Sequence, residues 1–179
     1  IEKEGIRLVI PTIDDELPLW ADRREAYAAR GVTVSISPRE TIDTCNDKWR
    51  TFEFFHGQGL PFPRTYLPGH LTYQMDYPLF IKPLFGGCSM GIHPDNPAVD
   101  DAQLGRILSE TQAHTHQPVL IEEFIDGREF SVGILGNHPP AALPLIEFTE
   151  LSREDTPLPF RLFDAKTDAR VHEPYCCPA

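Results

Sequence analysis

Residues 80–92, Phe80-Ile81-Lys82-Pro83-Leu84-Phe85-Gly86-Gly87-Cys88-Ser89-Met90-Gly91-Ile92, combine residue types that can hold an anion. A strand-like run ends in a lysine and a proline, and a loop of glycines and a serine follows at once. Small residues let backbone N–H groups come close to a phosphate, and the nearby ammonium adds a point charge. The spacing excludes a Walker A loop, because Ile92 and His93 stand where that motif needs Lys and Ser/Thr. It is not a dinucleotide GxGxxG fingerprint either, because here the lysine precedes the glycines. A plain glycine-rich hairpin is the competing reading of the loop alone.

Further charged residues recur at element ends around this loop. Lys48 opens a helix behind Asn46-Asp47. The run Val119-Leu120-Ile121-Glu122-Glu123-Phe124-Ile125-Asp126-Gly127-Arg128-Glu129 closes an apolar strand with two acids and places a third beyond a turn. Acids at such positions can accept hydrogen bonds from an amino group of a base and from ribose hydroxyls. Lys166 adds another cation after a strand. Taken singly, each of these is equally a solvated surface residue.

The elements that must position them are readable from pattern. Residues 6–11 read as a buried strand ended by Pro11, 14–30 as a helix with Asp14 and Asp15 at its start and Gly31 after its end, and 32–36 as a second strand. Together they form a βαβ unit. A helix is expected over 47–57, with Trp49, Phe52 and Phe55 at helical spacing, and an extended connection over 60–66 whose prolines forbid a central strand. Strands are expected over 78–82, 119–124, 130–135 and 141–148. An amphipathic helix over 99–114 carries Leu104, Ile107 and Leu108, and a proline-rich surface loop covers 149–159.

The whole chain bounds the function. Its 179 residues fit one domain or two small ones. A formal net charge of −11 argues against nucleic-acid and anionic-membrane surfaces. No apolar run reaches the length of a transmembrane helix, and no signal peptide is visible, so a cytoplasmic location is expected. Cys45, Cys88, Cys176 and Cys177 form no CxxC pair, so buried or incidental thiols are expected rather than a zinc ribbon. His114 and His116 read as solvated residues at a helix end. The chain opens inside a strand-like segment and stops at Pro178-Ala179, which reads as an internal fragment of a longer protein.

The ordered set resembles the ATP-grasp superfamily. Within it the chain is most similar to the D-alanine–D-alanine ligase group, with carbamoyl-phosphate-synthase-like proteins as neighbours. The resemblance is carried by residues 11–17, Asp47-Lys48, 80–91, 120–132, 143–147 and Asp164-Ala165-Lys166. It implies an α/β (α+β) fold, a partial ATP-grasp. The end of a βαβ pre-ATP-grasp domain would span 1–37 and a connecting helical segment 38–76. A small antiparallel lid subdomain would span 77–135, and the start of the C-terminal core sheet 136–179. It also implies roles. Lys48 and Lys82 would contact the α- and β-phosphates of ATP. Gly87, Ser89 and Gly91 would belong to a mobile loop that closes over them. Glu122 and the backbone of Glu123, Phe124 and Ile125 would form an adenine hinge. Glu129 would hold the ribose, and Lys166 would reach the phosphates from the far side. Lys82, Ser89 and Lys166 are the residues that the resemblance places nearest the chemistry.

The implied reaction is ATP-driven, Mg²⁺-dependent ligation of a small-molecule carboxylate and an amine through an acylphosphate, with room for a homodimer. Three departures qualify it. Cys88 stands where such ligases carry a first loop serine, and Thr167 where they carry an aromatic residue, so D-alanine specificity is not implied. The acidic metal ligands are expected beyond Ala179, and Glu147 and Asp164 are the available substitutes. Two alternatives stay open: a non-catalytic ATP-grasp nucleotide-binding module, and an enzyme of the carbamoyl-phosphate-synthase or biotin-carboxylase kind.

Overall fold

The structure is a computed structural model that describes residues 2–69 and 76–148, together with the backbone of four two-residue strands further on. It opens with strand β1 (Leu8–Val9), a 3₁₀ turn (Asp14–Glu16), helix α1 (Leu17–Ala28) and strand β2 (Thr33–Val34). The two strands pair in parallel, as a βαβ unit requires. Pro18 lies in the first turn of α1, where its missing N–H costs nothing, and Gly31, at φ 74°, makes the exit turn.

The expectation that residues 6–11 form a buried strand is not met. Ile6, Leu8 and Ile10 are exposed, Ile10 at 64%. Among the described residues β1 has one neighbouring strand, β2, and helix α1 packs on β2, so the other side of β1 is left uncovered. An apolar β-branched run states that a strand wants burial, not that a cover is present.

Helices α2 (Arg39–Asn46) and α3 (Lys48–Gly57) follow. Helix α2 falls within the segment 38–76 that the resemblance implied to be helical, but the residue pattern alone did not place it, because its exposed, polar surface buries only Ile42. Asp47 separates the two helices. Its carboxylate accepts from the N–H groups of Trp49 (2.9 Å) and Arg50 (3.1 Å), which caps α3 and makes Lys48 its first residue. The aromatic spacing read from the sequence becomes a cluster in which Phe52 and Phe55 both meet Phe62.

The central sheet has the order β3-β5-β4, all antiparallel, from β3 (Thr65–Tyr66), β4 (Leu79–Pro83) and β5 (Val119–Glu123). Helix α4 (Asp101–Thr115) covers one face, capped by the Asp100 carboxylate on the Gln103 N–H. Ile81, Ala98, Ile107 and Val119 form the core, with Tyr77, Leu104 and Leu108 packed around them. The free edge of β4 is closed by a buried asparagine. Asn96 Oδ1 accepts from the Ile81 N–H at 2.8 Å, and its Nδ2 donates to the Ile81 carbonyl at 2.9 Å. With the backbone bridge between Leu79 and Ala98, this side chain completes the pairing of that edge.

Two strand expectations need correction. Residues 130–135 are not one strand but two, β6 (Glu129–Ser131) and β7 (Ile134–Leu135), and 141–148 divides into β8 (Ala141–Ala142) and β9 (Ile146–Phe148). Ser131 faces Ile146, whereas the Leu143 N–H bonds the Gly133 carbonyl, so Pro144 and Leu145 oppose Val132 alone. That extra residue is a β-bulge, placed where a proline cannot donate to the ladder. β6 pairs with β9 rather than with the central sheet, whereas β3, from the expected connecting segment, joins that sheet. Beyond residue 148 the described strands are β10 (Ser152–Arg153), β11 (Thr156–Pro157), β12 (Val171–His172) and β13 (Tyr175–Cys176). The expected surface loop over 149–159 therefore contains a short antiparallel pair, with Arg153 opposite Thr156. Among the described residues no helix is long and apolar enough to cross a membrane.

Ile107 is fully buried between α4 and the sheet. Ile107→Ala is expected to cost about 2–5 kcal/mol through lost burial and the cavity left behind. Ile10→Ala, at an exposed site, is expected to stay within about 0.5 kcal/mol. Urea unfolding of the two variants checks both values.

Candidate functional site

Strand β4 alternates. Leu79, Ile81 and Pro83 point into the core, which leaves Phe80 and Lys82 on the opposite face. On β5, Glu122 pairs with Phe80 and Leu120 with Lys82, so Glu122 lies diagonal to Lys82 on the same face. The Lys82 ammonium and the Glu122 carboxylate form an ion pair, with the Glu122 side chain 6% exposed and that of Lys82 24%. Thr65 on β3 lies on the other flank of Glu122, its hydroxyl 3.5 Å from the carboxylate. A carboxylate this buried needs such partners, since an isolated one would be strongly disfavoured.

Lys48 reaches the same place from the first turn of α3. Its Nζ donates to the carbonyls of Pro83 (2.8 Å), Leu84 (3.4 Å) and Gly86 (2.8 Å). A helix N-terminus is the electrostatically wrong end for a cation, so the position is not explained by helix stability. Burial first, and the neighbouring Lys82 charge second, push the Lys48 ammonium down to about 8 from its ordinary 10.5.

The loop departs from β4 at Leu84, whose N–H bonds the Pro118 carbonyl, while the Phe85 N–H bonds Gln117 Oε1 at 2.9 Å. Gly86 takes φ 86°, and Cys88 and Ser89 follow at φ 53° and 61°. Two successive non-glycine residues in the left-handed region are unusual, and they bend the loop into a concavity that presents backbone groups. At its far end a side chain on Gly91 would collide with Thr115 and Pro83. That glycine seats the loop between the end of α4 and the end of β4.

A cavity of about 470 Å³ opens between these parts. Lys48, Lys82, Gly87, Ser89 and Glu129, all singled out from the sequence, line it together with Phe80, Cys88, Met90 and Ile92. Gly91, Glu122, Glu123, Phe124 and Ile125 do not line it. Glu122 stands behind Lys82. Glu123 turns to Arg64, accepting from its backbone N–H at 2.9 Å and its Nε at 2.7 Å, which holds the Glu123 carboxyl below the usual range. The backbone N–H groups of Glu123 and Phe124 are taken by the carbonyls of Arg64 and Pro78. Ile125 is exposed, and Lys166 and Asp164 lie outside the described residues. Glu147 is engaged by Arg128 through two bonds of 2.5 and 2.7 Å. Of the two readings of the thiols, buried or incidental, burial does not hold for Cys45 and Cys88, which are both exposed, and Cys88 lines the cavity. Phe80 was missed. It stacks on Phe124 with centroids 6.1 Å apart and forms an apolar wall, a placement legible from the period-two alternation of residues 79–83.

The depressed Lys48 has a consequence for stability. Between pH 8 and 10.5 the unfolded chain binds more protons at this site than the folded chain, so stability rises with pH across that window. Lys48→Met is expected to abolish this rise. Urea midpoints of wild type and variant, just below and well above pH 8, test it; parallel pH dependences would contradict it.

Residues 50–166 match the family described as D-ala D-ala ligase C-terminus. A D-alanine–D-alanine ligase of Alcanivorax borkumensis is 35% identical over 133 residues, covering 74% of this chain and 39% of that relative; the chain thus spans about two fifths of its length. Among solved structures, the VanG D-Ala:D-Ser ligase of Enterococcus faecalis superposes with a TM-score of 0.70 at 22% identity, covering 96% of this chain and 50% of that one. The biotin carboxylase domain of the Hydrogenobacter thermophilus 2-oxoglutarate carboxylase superposes at 0.66 with 16% identity, over 87% of this chain and 37% of that one. At these identities the structural likeness carries the fold alone, part of an ATP-grasp. The family match, over more than half of the residues, establishes that this chain belongs to the D-ala D-ala ligase C-terminus family.

Proposed function

We propose that this chain is the ATP-binding part of an ATP-dependent carboxylate–amine ligase that acts through an acylphosphate and is similar to D-alanine–D-alanine ligases. The observation that carries the reading is that Lys48, Lys82, Gly87, Ser89 and Glu129 converge on one cavity. Two lysines beside a glycine-serine concavity fit a polyphosphate chemically, the ammonium groups as charges and the loop N–H groups as donors. When bound, ATP supplies the phosphoryl group that activates a carboxylate toward an amine.

The chain's own residues then divide the work. Lys82, fixed by Glu122, offers a placed cation to the α- and β-phosphates. Lys48 exchanges carbonyl partners for phosphate oxygens. Gly87 and Ser89 belong to the loop that closes over them, with Gly91 at its seated end, and Lys166, which lies outside the described residues, is assigned to the phosphates as well. Phe80 and Phe124 give the base an apolar wall. With the N–H groups of Glu123 and Phe124 already engaged, the adenine edge is left to the N–H of Ile125 and to hinge carbonyls. Glu129 takes the ribose. In this reading Glu122 serves chiefly to hold Lys82.

Among the described residues no three His, Cys, Asp or Glu side chains converge, and Glu129 is the only acid lining the cavity. These residues do not form a Mg²⁺ site by themselves. A carboxylate substrate, an amine substrate and a homodimer are part of the same proposal, as is the division at residues 1–37, 38–76, 77–135 and 136–179.

Calorimetric titration of the chain with ATP tests the reading. Saturable binding is expected. Lys82→Ala combined with Glu122→Gln, which avoids an orphaned buried carboxylate, is expected to weaken it by about 1.5–3 kcal/mol. Unchanged affinity in that double variant, or no binding by the wild type, would contradict it.

A further inference from the structure

The loop is touched from outside its own sheet. A Cβ built on Gly87 would lie 2.5 Å from Asp14 Oδ2, so the Asp14 carboxylate rests against the bare Cα of Gly87. Asp14 belongs to the 3₁₀ turn that leads into α1, in the first βαβ unit. Gly87, in contrast to Gly86, does not take a positive φ. Its backbone accepts a side chain, and what a side chain would meet is the carboxylate.

This carboxylate has no neutralising partner among the described residues. Glu16, in the same turn, accepts from Trp20 Nε1 at 3.2 Å, but no hydrogen bond or ion pair of the Asp14 side chain is found there. The cavity that Gly87 lines has little positive charge to spare. Lys82 is already paired with Glu122, and Lys48 sits among three carbonyls with a lowered proton affinity. A further uncompensated negative charge resting against Gly87, which lines that cavity, therefore acts on any anion that enters, by an amount that solvent and salt screen.

We propose that Asp14 is a positioning residue that sets the charge selectivity of this site: its carboxylate, held against Gly87 by the βαβ unit, opposes polyphosphate entry and must be displaced for the loop to close. The proposal rests on the reading of the cavity as a nucleotide site. An acid at a helix start also suits the helix dipole, but Asp15 shares that turn and does not come within 4 Å of the position of a Gly87 Cβ. Asp15→Asn is therefore the matched control.

The experiment is calorimetric titration of the chain with ATP, ADP, AMP and adenosine. Asp14 is exposed, so Asp14→Asn removes the charge and keeps the fold. Asp14→Asn is expected to tighten ATP about three- to tenfold, AMP less and adenosine not at all, with the gain shrinking as salt is raised. Asp15→Asn is expected to leave the series unchanged. Unchanged or weaker ATP binding in Asp14→Asn overturns the proposal. An equal shift for adenosine also overturns it, because that marks an effect independent of the charge of the ligand. A wild type that binds none of the nucleotides removes the nucleotide reading and this proposal with it. Normal wild-type binding with no response at Asp14 removes the proposal alone.

Discussion

The arrangement depends on a carboxylate that the fold has taken out of water. Glu122 sits at the end of the central strand β5 and is 5% exposed. Its burial is tolerable because Lys82 lies diagonal to it across the β4–β5 ladder. The pair orients Lys82, which in turn lies one residue before the proline that ends β4 and starts the loop. Removing either partner would leave a lone charge in a place with little water, so the two are best regarded as one unit. As a stability device the pair is a poor choice, since apolar residues of similar size commonly serve as well. Its use is to fix a cation.

Lys48 is fixed differently. Its partners are carbonyl oxygens of the strand end and of the loop itself, so the same ammonium that lines the cavity also ties α3 to the loop. An incoming anion competes with neutral dipoles for this lysine, not with a carboxylate. On the proposed reading the two cations respond differently to a ligand: Lys82 stays where Glu122 holds it, while Lys48 changes partners. Gly91, packed against Thr115 and Pro83, seats the far end of the loop.

Much of this was legible in the sequence. The order lysine, proline, glycines placed the loop at a strand end, Asp47 announced the start of α3, and Asp126-Gly127 announced a turn. What was not legible depended on register or on missing neighbours. Glu122 looked available to a ligand until pairing set it beside Lys82. Asn96 carried no signal in the sequence for its place at the edge of β4. The break between β6 and β7 needed the bulge at Pro144, although that proline and Gly133 were visible signals. The burial expected of Ile6, Leu8 and Ile10 failed because a strand's pattern does not say how many strands flank it.

The central claim, that the loop and two lysines form one anion site, is tested most directly by amide and lysine-ammonium NMR of the chain titrated with ATP. The account predicts that the largest shifts fall on Gly86, Gly87, Cys88 and Ser89 and on the Nζ signals of Lys48 and Lys82, while the α4–sheet core around Ile107 stays still. Shifts centred elsewhere, with the Lys48 and Lys82 signals unmoved at saturation, would contradict it.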